Sequence, residues 1–325
     1  MGHFTRMDAM NPGVADTFDG ALISLGSGFL GSVNLNPLNL PPYTIRLRYR
    51  PGDYPEFSKG SARQVGANTW ELTTADEENP GDWSLLLSES LIVRNQHLQA
   101  VLGANSTGVT NMNDMFDNCD ELADVQLFDT STVTTMQGMF QWCTSLEQVP
   151  LFDLSNVTDV GGMFLNCHSL RTVPPFNTSN VTYTHNMFFR CTSMTKVPMM
   201  DLSRVENMSG MFAECSSLVE VPLFDTSSVV NMADAFLNCY SLKSVPLFNT
   251  SKIVGSNLLA NFGNAFDGCT KVEGGALALY NQISSQEDPP TSIQYGRAFM
   301  NCGLFNPSGY AELEQIPTDW GGLKN

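Results

Sequence analysis

Eight cysteines and four histidines are the residues of this chain best suited to nucleophilic or metal chemistry, and their spacing argues against both. Cys119, Cys143, Cys167, Cys191, Cys215 and Cys239 recur every 24 residues, and Cys269 and Cys302 occupy the same F-x-x-C slot further on. A zinc site needs Cys and His clustered, as in paired C-x-x-C motifs, and none occurs. His3, His97, His168 and His185 stand outside any nucleophile or metal motif. G-x-S-x-G, H-E-x-x-H and glycine-rich phosphate loops are missing. The clustered carboxylates Asp76, Glu77 and Glu78 lie in a polar stretch that suits a solvated loop. The expectation is a non-enzymatic protein with no catalytic residue, no metal site and no cofactor.

Cysteine at a fixed slot reads instead as a small buried hydrophobe. Stacked repeats would bring neighbouring Cα atoms near disulfide distance, but side chains in register point in parallel rather than toward each other. Reduced core thiols follow. The column Asp129, Asp153, Asn177, Asp201, Asp225 and Asn249 offers oxygen ligands of the kind calcium takes. Each residue heads a D-T-S or N-T-S run, however, and Asx side chains bond the backbone two residues on. Turn chemistry accounts for the column, and for the N-x-S/T triplets at Asn156, Asn180 and Asn207.

Recognition is the chemistry left, and it belongs at positions that vary between repeats. The slot two after the repeated Phe holds Asn118, Trp142, Asn166, Arg190, Glu214 and Asn238. The slot after Cys holds Asp120, Thr144, His168, Thr192, Ser216 and Tyr240. Trp142, His168, Arg171, Phe189, Arg190, Lys196 and Tyr240 form the candidate binding strip, aromatic and basic on an acidic chain. Aromatic residues and arginine are enriched at binding hot spots.

The elements that must carry this strip come from the repeat. Phe precedes each of the six cysteines by three residues, at 116, 140, 164, 188, 212 and 236. Leu122, Leu146, Leu170, Met194, Leu218 and Leu242 follow by three, and Val125, Val149, Val173, Val197, Val221 and Val245 by six. Self-similarity at such a period marks a solenoid, in which like positions of successive coils stack into a continuous core. The segment L-x-x-V-P-L-F suits a short parallel strand. Proline at 150, 174, 198, 222 and 246 should limit that strand to two or three residues. M-x-x-M-F-x-x-C spaces apolar residues three and four apart, which predicts a helical turn opposite. The fold class is thus an α/β repeat of parallel strands and helical turns.

The unit MF..C.SL..VPLFDTS.VT.M resembles the BspA-like leucine-rich-repeat family of bacterial and phage-encoded surface proteins. YTIRLRYRPGDYPEFSKGS, GALALYNQ and AELEQIPTDWGG are similar to segments that bracket such repeats in proteins of gut bacteria and their phages. The resemblance covers about residues 44 to 325. It implies a leucine-rich-repeat solenoid used for adhesion or recognition, without catalysis or a motif-defined cofactor.

Composition narrows the partners. With 33 acidic against 16 basic residues and a formal charge of -17, the chain lacks the cationic surface that nucleic acid or an anionic membrane requires. The start MGHFTRMDAMNPGVADTFDG has no apolar stretch behind a basic end. Residues 20–33 are too short and glycine-rich to span a bilayer. These features lead to four expected regions: an attachment tail over 1–42, a β cap over 43–97, the solenoid over 98–272 and a C-terminal cap over 273–325. The expected location is a virion or an extracellular surface, where the chain is a phage-displayed recognition protein, a bacterial surface adhesin or a purely structural component of a virion or oligomer. The expected partners are a surface glycan or protein, with a virion or oligomer partner held through residues 1–42.

Overall fold

A computed structural model describes residues 35–55, 61–73, 83, 97–255, 262–285 and 296–324. The expected helix over DWSLLLSESLIV (apart from Trp83), the loop at GSNLLAN from residue 256 on, the turn at EDPP and residues 1–34 of the tail lie outside these residues.

Alternation of apolar and charged residues builds the first strand. β1 (Thr44–Tyr49) buries Ile45, Leu47 and Tyr49 completely. It pairs antiparallel with β3 (Thr69–Thr73) on one side and β4 (Leu98–Asn105) on the other. β2 (Ser61–Gly66) adds outside β3, and the two-residue β5 (Asp124–Val125) adds parallel to β4. The order is β2-β3-β1-β4-β5. Glu71 on β3 takes Arg46 from β1 and Arg63 from β2, tying three strands on one face. Residues 35–42, grouped with the tail in the sequence, pack on β4: Leu40 is buried and its carbonyl accepts from the Asn105 amide at 2.8 Å.

β4 and β5 are 24 residues apart in register, Ala100 opposite Asp124 and Val101 opposite Val125. Beyond them the parallel pairing thins, contrary to the expected strand in every coil. The same segment makes only the isolated bridges Lys196–Glu220 and Ser244–Gly274. One residue explains the difference. In the β5 unit Gln126 donates its N–H to the Val101 carbonyl at 2.9 Å. The next five units have proline at that position and no N–H to give. In four of them the chain also turns in on itself, with Phe152, Phe176, Phe224 and Phe248 each donating to the carbonyl of the proline two residues back at 2.9–3.0 Å. That is a three-residue turn, not a strand.

The expected helical turn is also corrected. M-x-x-M-F-x-x-C forms two successive turns, with left-handed backbone at the residues five and one before each Cys. Alternate amides point to the next coil: Asp114, Phe116 and Asn118 donate to the carbonyls of Gln137, Met139 and Gln141 at 2.8–2.9 Å. A left-handed residue every fourth position cannot continue a right-handed helix. Just ahead of this ribbon, single parallel bridges run Asn111–Thr135–Asp159–Tyr183–Asn207–Asn231, the longest ladder among the described residues.

The core between these lines is a file of rings. Phe116, Phe140, Phe164, Phe188, Phe212, Phe236, Phe266 and Phe299 stack at centroid spacings of 5.0–5.9 Å with planes within 19°. Trp320, in a 3-10 turn over Thr318–Trp320, closes the file 6.4 Å from Phe299. All eight cysteines are buried and free. Their thiols donate backward: Cys143 to the Phe116 carbonyl at 3.2 Å, Cys167 to Phe140 at 3.0 Å, and so on to Cys269 and Phe236 at 3.1 Å. The Asx column is occupied in turns, Asp129 and Asp225 each accepting from the Ser amide two residues on at 2.9 Å.

Among the described residues, three short helices follow in the last third. They are α1 (Ser251–Gly255), α2 (Ala276–Ser284) over the predicted ALALYNQISS segment, and α3 (Pro307–Leu313). Glu312 of α3 accepts from the first amides of α2, Gly275 at 3.2 Å and Leu277 at 3.0 Å. A carboxylate suits a helix N-terminus, where unpaired N–H groups concentrate positive charge. This bond fixes the two helices to each other.

Candidate functional site

The left-handed turn before each Cys decides which side chains face outward. Amides of this slot bond from coil to coil in one line: Trp142 to the Leu165 carbonyl at 2.7 Å, Asn166 to Phe189 at 2.8 Å, Arg190 to Ala213 at 2.9 Å and Glu214 to Leu237 at 2.6 Å. Asn118, Trp142, Asn166, Arg190, Glu214 and Asn238 are therefore neighbours in that order. All six have φ between 58° and 62°. Asparagine tolerates this conformation, whereas a bulky side chain there is an outlier. Trp142 and Arg190 hold the position nonetheless, and Trp142 leaves 41 % of its surface exposed.

The same line gathers most of the sequence candidates. Phe189 is half-buried with the Arg190 guanidinium 5.2 Å from its ring centroid, within cation–π range. His168 and Tyr240, one residue past their cysteines, are exposed on coils of the same line. Arg171 and Lys196 belong to another line, the segment leading to the repeated Val. There Arg171 pairs with Glu147 at 3.4 Å, and the Lys196 backbone makes an isolated parallel β-bridge with that of Glu220.

The strip is less basic than its composition suggests. The Arg190 Nε–H donates to Glu214 at 2.6 Å, and this bond, followed by the carboxylate's charge, raises the guanidinium pKa. Arg171 stands 3.4 Å from the Glu147 carboxylate in an exposed ion pair. What the edge presents is aromatic surface and side-chain amides. Between Trp142 and Arg190, Asn166 is 3 % exposed and its Oδ1 has no hydrogen-bond partner in the chain. A buried group of this kind is ordinarily met by an ordered water.

Sequence reasoning missed the far end of this edge. Cys269 and Cys302 come 30 and 33 residues after their predecessors, yet the slots stay aligned: Asn238 donates to the Asp267 carbonyl at 2.7 Å and Gly268 to Met300 at 2.8 Å. A concavity of about 600 Å³ opens there, lined among others by Tyr240, Asn264, Asp267, Arg297, Asn301 and Phe305. The signal was the glycine at 268, in a slot that elsewhere carries a side chain. Among the described residues no group of His, Cys, Asp and Glu is arranged to hold a metal ion. No helix among them is long and apolar enough to cross a membrane.

A chain of short units that repeat every 24 residues and bond in parallel register is a repeat protein. It belongs to the family described as "Mycoplasma protein of unknown function, DUF285", whose profile matches residues 89–197 and 185–273, more than half of the chain. Among solved structures it is similar to a leucine-rich repeat protein of T. pallidum, at 24% identity and TM-score 0.30 over 39% of this chain and 57% of that one. A leucine-rich repeat protein from Eubacterium ventriosum is similar at 22% identity and TM-score 0.32, over 49% of this chain and 45% of that one. The chain thus spans about half the length of these solved proteins. No curated protein matches it.

Proposed function

We propose that this protein is a BspA-like leucine-rich-repeat solenoid that recognises a surface ligand without catalysing a reaction. The observation that carries this reading is the line Trp142–Asn166–Arg190. A slot whose backbone favours asparagine or glycine is occupied by an exposed indole and an exposed guanidinium. A left-handed Trp costs about 1 kcal/mol against such residues, and strain of this kind collects where binding needs a particular side chain. The ligand is a bacterial surface glycan or protein. The display surface is that of a phage virion in the first reading, with residues 1–42 as the attachment segment, and that of a bacterial cell in the second; the flanking segments resemble those of both groups.

Labelled chain added to intact bacterial cells should bind saturably, and Trp142→Asn and Arg190→Asn should weaken that binding at least tenfold while the protein stays folded. Absence of saturable binding overturns the recognition reading. Proteomics of purified phage particles beside the surface fraction of uninfected cells separates the two display surfaces: recovery in stoichiometric amounts from particles supports the virion, and recovery only from cells overturns it.

A further inference from the structure

The hollow at the end of the Trp142–Arg190 edge is built for a particular chemistry. In the slot that carries side chains at Asn238 and Asn301, Gly268 carries none, and a Cβ there would sit 2.3 Å from the Asn238 Oδ1. The Asn238 side chain fills the place a Cβ would take, and the hollow opens beside the two residues. Two aromatic side chains flank it, Tyr240 at 46 % exposure and Phe305 at 75 %. Its floor is polar. Asp267 is 6 % exposed and holds Arg297 at 3.0 Å, and the Asn264 amide donates to Asp234 at 3.0 Å.

Charge selects among ligands. Among the described residues Arg297 is the only cation lining the hollow, and it pairs with Asp267 at 3.0 Å. An anionic ligand would meet a guanidinium already paired with a carboxylate, on a chain of net charge -17. An apolar ligand would leave amides and a carboxylate facing it, at the cost of burying polar groups unpaired. A neutral polyhydroxylated ring fits both demands. Its C–H faces lie on exposed aromatic rings, and planar amide, carboxylate and guanidinium groups accept from or donate to adjacent hydroxyls. An open site of this volume has room for part of an oligosaccharide.

We infer that the hollow formed by Tyr240, Asn264, Asp267, Arg297, Asn301 and Phe305 is a subsite for a neutral oligosaccharide. This rests on the recognition reading above and names its ligand class. The full chain is applied to a printed array of neutral and acidic oligosaccharides and, in parallel, to intact cells, to periodate-oxidised cells and to protease-treated cells. Tyr240→Ala and Phe305→Ala are compared with Tyr54→Ala, which removes an exposed ring from outside the hollow. The expected result is binding to neutral oligosaccharides and to protease-treated cells, its loss on periodate oxidation, and a drop of at least tenfold in both hollow variants but not in Tyr54→Ala. Cell binding that both variants retain, that survives periodate, or that follows acidic oligosaccharides overturns the inference while recognition stands. No binding to cells or array in any form overturns both.

Discussion

Arg190 reaches one coil forward to Glu214, the residue in its own slot, with Nε 2.6 Å and Nη2 3.3 Å from the two carboxylate oxygens. Both residues carry left-handed backbone, at φ 61° and 60°. The pair therefore joins two positions that the backbone would rather give to asparagine.

The first prediction is that this ion pair contributes little to stability. Both side chains are partly exposed, and exposed pairs are weak and screened by salt. Arg190→Asn and Glu214→Asn remove the pair and relieve left-handed strain together. Each variant should unfold in denaturant at a midpoint equal to or above that of the parent, with the double variant close to the sum of the two. A midpoint clearly lower in both would mean that the pair holds the coils together.

Two glycines should respond unequally to alanine. At Gly275 φ is 101°, and a Cβ would sit 2.2 Å from the Val245 carbonyl oxygen, a backbone atom that cannot swing away. At Gly162 φ is 63° and the nearest atom is 3.8 Å off. Gly275→Ala should cost about 3 kcal/mol through clash and strain together. Gly162→Ala should cost about 1 kcal/mol, from the left-handed conformation alone. Unfolding curves of the two variants measured side by side check the difference, and equal losses would mean the backbone around Gly275 relaxes.

The repeat period, the buried Phe, Cys, Leu and Val columns and the turn role of the Asx column were legible because each is a column of like residues. The same columns misled where apolar spacing was allowed to name the element. M-x-x-M-F-x-x-C has helical spacing, yet a second column runs through it: Asp114, Gly138, Gly162, Asn186, Gly210, Asp234 and Asn264, all left-handed. Glycine, asparagine and aspartate at one slot signal positive φ, and that signal outranks apolar spacing. The expected strand fails for a related reason. Proline in five units is visible in the sequence, but that Gln126 supplies the missing donor only becomes clear once its partner, Val101, is known. Of the binding candidates, the line Trp142–Arg190 followed from slot variation. The pairing of Arg171 and Arg190 with acids one coil away did not, because register across coils sets it.

Restoring the donor should restore the strand. Pro150→Gln gives the second unit what Gln126 gives the first, an N–H placed to donate to the carbonyl one coil back, here that of Val125. A backbone hydrogen bond contributes about 1 kcal/mol net, and losing the proline's restraint on the unfolded chain offsets about as much. Stability should hardly change. Hydrogen exchange is the decisive readout: the new amide at 150 should exchange slowly, like that of Gln126, and rapid exchange there would show that the turn at Phe152 persists.

The cysteine file sets a pH limit on the fold. Burial pushes the Cys143, Cys191, Cys239 and Cys302 thiols well above their ordinary 9.0, Cys167 likewise, and Cys215 up to about 12. A folded-state pKa raised above the unfolded one means that between the two values the unfolded chain has lost a proton the folded chain keeps. Stability then falls as pH rises. The contribution is complete below pH 9.0 and is lost on the way up to about 12 for Cys215. Within that window each such thiol costs about 1.4 kcal/mol per pH unit, and six of them titrate in the same direction. At neutral pH none of the eight cysteines should react with a disulfide reagent until denaturant is added, because each is buried. In an alkaline scan, thiolate absorbance and loss of circular dichroism should rise together in one steep transition above pH 9.0. Thiolate appearing with the fold intact would mean that the coils open locally and that the file is not sealed.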